Sequence, residues 1–280
     1  MIGIVVDSNS QMPDELARRH GIVVVPLTVT VDGTEYLEGL DLDADAFYRH
    51  WDDGAAPEVS TSQPSPGRFV EAYRRLVDDG VTEILSIHIA AAMSGTLNSA
   101  RLAADQVDVP VELVDTGTAS FGISCCAWAA AEAVAEGATA AEAADVARRR
   151  STGLHSSFVV GVPRLMDRSG RADGVGVETA SADGVAVLAM DGAEMSVLAT
   201  VAELGAAVAT MVADTVGRAP SGPEGLRVAI GTSDASSEPM SAALDEALSG
   251  DDRVHEVVRY RIGPSVGAHT GPGTSGLFVF

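Results

Sequence analysis

Four short polar runs in this 280-residue chain carry the side chains best suited to chemistry. They are residues 7–10 (DSNS), 60–66 (STSQPSP), 94–96 (SGT) and 269–273 (HTGPG). Each run is expected beside the end of a strand, and ligands of open α/β sheets bind at the carboxyl ends of the strands. The four runs are therefore the candidate functional residues.

The four runs offer hydroxyl groups and one histidine, but no lysine and no pair of carboxylates. Neutral hydrogen-bond donors combined with helix N-termini suit a small anion. Every basic residue except histidine is an arginine, so chemistry through a lysine Schiff base is excluded. Any single run is more typical of an ordinary helix N-cap than of a site, and only the combination favours an anion site.

The same residues allow an enzymatic alternative, a hydrolase of small esters with Ser94 as nucleophile and His269 as base. Asp7 or Asp115 would then orient the histidine. Ser94 stands in the sequence MSGT and not in a G-x-S-x-G elbow, which weighs against this interpretation. A nucleotide or sugar-phosphate site is disfavoured because no G-x-G-x-x-G follows the first strand and the chain has no P-loop.

The N-terminal half alternates between apolar, β-branched runs and segments of helical periodicity. The pattern predicts strands over residues 2–7, 22–31, 83–89 and 111–114, and helices over 13–20, 66–79, 94–107 and 121–136. This order favours a mostly parallel, doubly wound sheet. The fold class expected for the first half is therefore α/β.

The C-terminal half has shorter strands that lie closer together. Segments 185–190 and 194–199 flank Asp191-Gly192, a hairpin signal, and a helix is predicted over 201–216. This pattern predicts a mixed sheet with helices. Because 280 residues exceed the usual size of one domain, we expect two α/β domains, 1–152 and 153–280.

The composition narrows the possible functions further. The formal net charge of −22 disfavours binding to nucleic acids and to anionic membranes. No apolar run reaches the roughly 18 residues of a membrane span, and the chain opens with MIGIVVD instead of a basic leader. We therefore expect a soluble, cytoplasmic protein without stable membrane insertion. The adjacent Cys125 and Cys126 are expected to be buried and inert, and no zinc site or other cofactor is predicted.

Six runs, taken in order and spacing, carry a resemblance to a known family. They are IVVDSNSQMP, LEGLDLDADAFY, STSQPSP, AAAMSGTLNSA, VELVDTGTASFG and GAHTGPGT. Together they resemble the DegV family, the bacterial fatty-acid-binding proteins called FakB in the fatty acid kinase system. The resemblance extends over essentially the whole chain. It implies two α/β domains with a fatty-acid tunnel at their junction and a bound long-chain acid, such as one with a C16–C18 chain, although the sequence does not determine the chain length.

The resemblance also implies roles for individual residues. Thr61 and Ser94 would hydrogen-bond the carboxylate, and Ser62 and His269 would complete the polar network around it. The remaining ligand-binding residues of the two motifs would be Gly95, Thr96 and Thr270. The protein would then be a carrier without catalytic residues.

In the fatty acid kinase system, such a carrier presents its bound acid to a separate kinase that phosphorylates it. Family members carry basic residues after the hairpin of the second domain, whereas residues 198–203 here read LATVAE. Arg164, Arg168 and Arg171 are the basic residues that remain nearby to face a kinase. The sequence therefore supports the fatty-acid site more strongly than the kinase partner.

Overall fold

The computed structural model describes residues 1–168, 170, 172, 174–218 and 225–280. The chain divides into two compact units, the first made of Met1–Asp41 and Ser60–Gly153 and the second of Leu42–Val59 and Leu154–Phe280. The division into domains 1–152 and 153–280 stays a prediction. The compact units differ from it mainly in residues 42–59, which belong with the second unit.

The described residues form an α/β succession. The strands are β1 Ile2–Asp7, β2 Ile22–Val25, β3 Thr28–Val31, β4 Thr34–Leu37, β5 Val59–Ser62, β6 Glu83–His88, β7 Val111–Asp115, β8 His155–Val159, β9 Val185–Asp191, β10 Glu194–Val201, β11 Leu226–Thr232, β12 Val254–Arg261 and β13 Ser275–Val279. The helices are α1 Asp14–His20, α2 Ala44–Tyr48, α3 Pro66–Asp78, α4 Thr96–Ala104, α5 Phe121–Ala135, α6 Ala140–Thr152, α7 Pro163–Arg168, α8 Val177–Ala180, α9 Leu204–Arg218, α10 Glu238–Ser249 and α11 Pro264–Thr270. None of these helices is both long and apolar enough to cross a membrane.

A parallel sheet forms the centre of the first unit, with its described strands in the order β2-β1-β6-β7. Val5 pairs with Val23 on one side and with Ser86 on the other. Val5 and Ile84 are fully buried, because helices cover a parallel sheet on both faces. The predicted parallel α/β arrangement of this half is confirmed.

The prediction of one strand over residues 22–31 was wrong. Pro26 follows β2 and lacks the N–H that would continue the sheet ladder, so the strand ends at Val25. The chain resumes as β3 in a separate sheet, with order β4-β3-β5 in the described residues. Asp32 and Gly33 both have positive φ, 48° and 81°, as a two-residue type I′ hairpin turn requires.

A mixed sheet forms the second unit, with its described strands in the order β10-β9-β8-β13-β11-β12. β11 and β12 run parallel, whereas β9 and β10 form the antiparallel hairpin predicted at Asp191-Gly192. β13 is buried throughout between β8 and β11. The helix predicted from residue 201 begins instead at Leu204, because β10 continues to Val201.

The segment 42–59 belongs to the second unit through specific contacts. The Tyr48 hydroxyl donates to the Ile262 carbonyl at 3.0 Å, and Arg261 forms an ion pair with Asp45. A Cβ at Gly267 would lie only 2.5 Å from the Tyr48 hydroxyl oxygen, so α11 can approach α2 here only with glycine. These contacts were not visible in the local sequence pattern that predicted the domain boundary.

Candidate functional site

The parallel strands β1, β6 and β7 end at one edge of their sheet, and Asp7 fixes the first two ends together. The Asp7 carboxylate accepts hydrogen bonds from the Ile89 N–H at 3.1 Å and the Asn9 N–H at 3.1 Å. The Asp7 carboxylate also pairs with Nδ1 of His88, the last residue of β6, at 2.9 Å. Because Asp7 is fully buried, these bonds determine how both loops leave the sheet.

His88 extends the buried hydrogen-bond network from Asp7 to Ser86 and Tyr73. Its Nε2 lies 2.7 Å from Ser86 Oγ, which in turn lies 2.8 Å from the Tyr73 hydroxyl. All four side chains, including Asp7, are fully buried. Burial raises the pKa of Tyr73 to about 12, although the hydrogen bond with Ser86 opposes this shift. Tyr73 therefore remains a neutral phenol at physiological pH.

The loops after β6 and β7 are also joined to each other. The Asp115 carboxylate accepts from the Ala91 N–H at 3.2 Å and from the Gly117 N–H at 2.9 Å. The Thr116 hydroxyl donates to the His88 carbonyl at 2.8 Å. Asp7 and Asp115 are thus both engaged with the backbone of the loops that follow the sheet, where they hold the strand ends in register.

Ser94 and Thr96 form a compact hydroxyl pair at the start of α4. Their hydroxyl oxygens lie 2.8 Å apart, and the Thr96 N–H donates to Ser94 Oγ at 3.3 Å. Thr96 is fully buried and Ser94 is half-buried. Gly95 occupies the N-cap position and has no side chain. The polar groups at this helix start are therefore Ser94 Oγ and the backbone N–H groups of the first turn of α4.

The run carrying Thr61 and Ser62 lies against the run carrying Ser94. Thr61 is half-buried and Ser62 exposed at the end of β5. The contact between the two runs is the Gln63 side chain, which covers Gly95: a Cβ at position 95 would lie 2.6 Å from Gln63 Nε2. The structure therefore brings two of the four predicted runs together within the first unit.

The fourth predicted run, which contains His269 and Thr270, belongs to the second unit. Both residues lie in α11, with His269 half-buried and Thr270 buried. The Thr270 hydroxyl donates to the Val266 carbonyl at 3.2 Å, and its carbonyl accepts from the Val162 N–H at 2.9 Å. The site roles of His269 and Thr270 stay predictions.

Asp234 holds the glycine loop that follows α11. Its carboxylate accepts from the Gly273 N–H at 2.7 Å and from the hydroxyls of Ser233 and Ser236. Partial burial alone would raise the pKa of Asp234, but these hydrogen bonds outweigh it and hold the pKa below its usual value. The carboxylate is therefore ionised at neutral pH and orders this loop.

A close approach of two backbones completes the loop. A Cβ at Gly161 would lie 1.6 Å from the Pro272 carbonyl oxygen, which leaves no space for any side chain at position 161. The Gly161 N–H also donates to the Thr274 hydroxyl oxygen at 3.2 Å. Glycine is thus required where the end of β8 meets the 271–274 loop.

The predicted partner-facing arginines lie around α7. Arg164 and Arg168 are both exposed in that helix. Arg171 lies outside the described residues. The exposure of the first two is compatible with contact to another protein, and that role stays a prediction.

The described geometry assigns the acidic residues a different role from the hydrolase alternative. Asp7 pairs with His88, and Asp115 binds backbone N–H groups. A Ser-His-Asp arrangement does exist, but its serine is Ser86 in the interior of the sheet, where a substrate has no access. The Ser94 hydroxyl pairs with Thr96.

The two cysteines are buried thiols in α5. Burial raises the pKa of Cys126 to about 12, opposed by the charge of Arg150, and burial also raises the pKa of Cys125. Both therefore remain protonated and unreactive at neutral pH. Among the described residues, no group of three or more metal-ligating side chains is placed to hold an ion.

Three positioning residues were missed in the sequence. Ser86 and His88 stand two positions apart in the run EILSIH, so they share one face of β6, and this alternation is the signal that could have revealed them. Gln63 was part of a predicted run but was assigned no role. Its contact with Gly95 depends on two segments distant in sequence, for which the chain gives no local signal.

The structure defines the class of protein: an α/β protein with one parallel and one mixed sheet, whose hydroxyl-rich loops lie beside the strand ends. A family model described as "Uncharacterised protein, DegV family" matches residues 1–280. A DegV domain-containing protein of Streptomyces coelicolor is 33% identical over 285 residues, covering 99% of this chain and 98% of that protein. The chain belongs to the DegV family.

Solved structures of the family share the fold. A DegV family protein from Thermus thermophilus, described as binding fatty acid, superimposes with a TM-score of 0.90 at 28% identity, covering 100% of this chain and 99% of that chain. A DegV lipid-binding protein from Thermotoga maritima gives a TM-score of 0.86 at 26% identity, covering 99% and 97%. The predicted family and α/β fold class are thus confirmed.

Proposed function

We propose that this protein binds a long-chain fatty acid and that the hydroxyls of Thr61 and Ser94 receive its carboxylate. The observation that carries the proposal is the contact of the two hydroxyl runs through Gln63 and Gly95, which gathers neutral donors beside the start of α4. The Thermus thermophilus relative and two Thermotoga maritima relatives, each described as binding fatty acid or lipid, support this ligand class.

The chemistry of the site fits an acid that is held without reacting. A hydrogen bond to a charged group contributes roughly 1.5–3 kcal/mol, and a carboxylate left unpaired in an apolar setting costs several kcal/mol. The acyl chain adds about 0.8 kcal/mol for each buried CH₂, so a sixteen-carbon chain supplies a gross term of order 10 kcal/mol before ordering costs. The acyl chain of the ligand therefore contributes most of the affinity, and the hydroxyls select a carboxylate as the head group.

The other predicted ligand-binding residues enter the proposal with supporting roles. Thr96 orients the Ser94 hydroxyl through the hydrogen bond between the two hydroxyl groups. Gly95 allows the backbone to approach the ligand head group closely. Ser62, in the same run as Thr61, is proposed to extend the polar surroundings of the head group, and the ligand-binding roles of His269 and Thr270 remain proposals from the resemblance. Their separate substitution by alanine tests each contribution.

We propose further that the protein is a carrier and that a separate fatty acid kinase acts on the bound acid. The exposed Arg164 and Arg168 supply positive charge on a chain whose net charge is −22. This part of the proposal depends on the resemblance, because the end of β10 and the residues after it, 198–203, carry no basic side chain. Binding of the acid does not depend on it.

The direct test of head-group recognition compares palmitic acid with its methyl ester. Both carry the same acyl chain, but the ester lacks the charge that the hydroxyls stabilise. In calorimetric titrations of the delipidated protein, we expect the ester to bind at least about tenfold more weakly, since one charge-assisted hydrogen bond accounts for that factor. Equal affinity for acid and ester would contradict the carboxylate assignment.

A further inference from the structure

The amide group of Gln63 packs against Gly95. A Cβ at position 95 would lie 2.6 Å from Nε2, 2.7 Å from Oε1 and 2.8 Å from Cδ of Gln63. All three atoms belong to the amide group, so the end of the Gln63 side chain, and not a single atom of it, lies against the Gly95 backbone. Any other residue at position 95 would displace the amide, since real Cβ atoms do not approach other atoms this closely.

The backbone on either side favours this placement. Gln63 precedes Pro64, and the residue before a proline is restricted to extended conformations. Pro64 is buried, so it anchors the run while Gln63 itself remains exposed. The amide therefore lies at the surface against Gly95, the N-cap residue of α4, and Ser94 is the residue directly before Gly95 in the sequence.

A primary amide in this place has a property that the neighbouring hydroxyls lack. It supplies two N–H donors from one side chain, whereas a hydroxyl supplies a single O–H donor, and like the hydroxyls it stays uncharged at physiological pH. We infer that Gln63 is a recognition residue for the ligand head group, donating an N–H to the same carboxylate as Ser94, with Gly95 as its required support. This inference rests on the proposed function, because it assigns a further donor to that site.

Two substitutions of Gln63 separate recognition from simple space-filling. Gln63→Ala removes the donor, and we expect palmitate to bind about tenfold more weakly. Gln63→Met fills similar space over Gly95 but has no N–H donor and no charge, so binding should be weakened about as much as in Gln63→Ala. If Gln63→Met binds palmitate as well as the unchanged protein, Gln63 is only a structural filler and the inference is overturned.

The dependence on Gly95 is tested by a double-mutant cycle. Gly95→Ala should weaken binding by about as much as Gln63→Ala, and Gln63→Ala with Gly95→Ala should be no weaker than Gln63→Ala alone. Gly67→Ala is the matched control, because its Cβ would meet nothing closer than Ser65 Oγ at 3.7 Å. Independent, additive losses from the two substitutions would contradict the shared role.

A measurement without ligand separates failure of this inference from failure of the proposed function. The side-chain amide resonance of Gln63, identified by its loss in Gln63→Ala, should shift in Gly95→Ala but not in Gly67→Ala. An unmoved resonance in Gly95→Ala overturns the contact itself. If the amide shifts but the unchanged protein binds no fatty acid, the proposed function fails and the recognition role falls with it. If palmitate binds and Gln63→Ala is neutral, only the inference fails.

Discussion

Replacing Asp7 with alanine is expected to lower the free energy of unfolding by about 3–5 kcal/mol, because each buried polar group left without its partner costs about 1–3 kcal/mol. The change removes the buried acceptor of the Ile89 and Asn9 N–H groups and the partner of His88 Nδ1. Urea denaturation followed by circular dichroism measures the effect. Should the variant not fold, Asp7→Asn, which keeps one acceptor oxygen, provides a milder change in the same direction.

Asp115→Ala is the matched control for this prediction. Asp115 ends the next-but-one strand of the same sheet and also accepts two backbone N–H groups, from Ala91 and Gly117. It is exposed, so water can replace its carboxylate, and we expect a loss of no more than about 1 kcal/mol. If both variants lose the same free energy of unfolding, burial of the Asp7 network does not add to stability, and the prediction is contradicted.

Combining Thr61→Val with Ser94→Ala is expected to weaken palmitate binding by about 2–6 kcal/mol, from about 1–3 kcal/mol for each hydroxyl. This range corresponds to a loss of roughly thirtyfold or more in affinity. Both side chains are only half-buried, so the fold should persist. Titration of the delipidated variant with palmitate, together with its urea denaturation curve, measures binding and stability separately.

Ser65→Ala controls for the loss of a hydroxyl in the same run. Ser65 is exposed at the N-cap of α3, where its side chain forms no capping hydrogen bond. Palmitate affinity should therefore remain within about twofold of the unchanged protein. If the double variant also retains its affinity, Thr61 and Ser94 do not receive the carboxylate.

The parallel sheet could be predicted from the sequence because its strands are continuous apolar runs. β1 is buried over five of its six residues, and such a strand has no alternating pattern that an antiparallel edge would impose. The hairpin at Asp191-Gly192 was predicted from its turn residues alone. Local chemistry therefore determined these elements.

The strand predicted over 22–31 failed for a physical reason that the sequence contained. Pro26 interrupts the ladder, and the Asp32-Gly33 turn marks the following hairpin, yet the apolar run concealed both signals. The placement of 42–59 in the second unit could not be predicted in this way. It depends on contacts such as that between Tyr48 and Ile262, which are 214 residues apart.

The candidate site was predictable as residue types but not as a network. The runs that contain Thr61 and Ser94 stood out as hydroxyl-rich segments at strand ends, whereas the carboxylate-binding role of these two residues came from the family resemblance and stays a prediction. The contact of Gln63 with Gly95 and the burial of His88 between Asp7 and Ser86 depend on packing between distant segments. Side-chain networks of this kind follow from the tertiary fold, and periodicity does not encode them.

The most direct test is the identity of the lipid that accompanies the protein. The protein is expressed in bacteria and purified without detergent, and an organic extract of the folded material is analysed by mass spectrometry, with the Thr61→Val/Ser94→Ala variant treated in parallel. We expect a fatty acid with a C16–C18 chain in near-stoichiometric amount from the unchanged protein and a much smaller amount from the variant. An extract without fatty acid, from protein that also fails to bind added palmitate, would contradict the central claim.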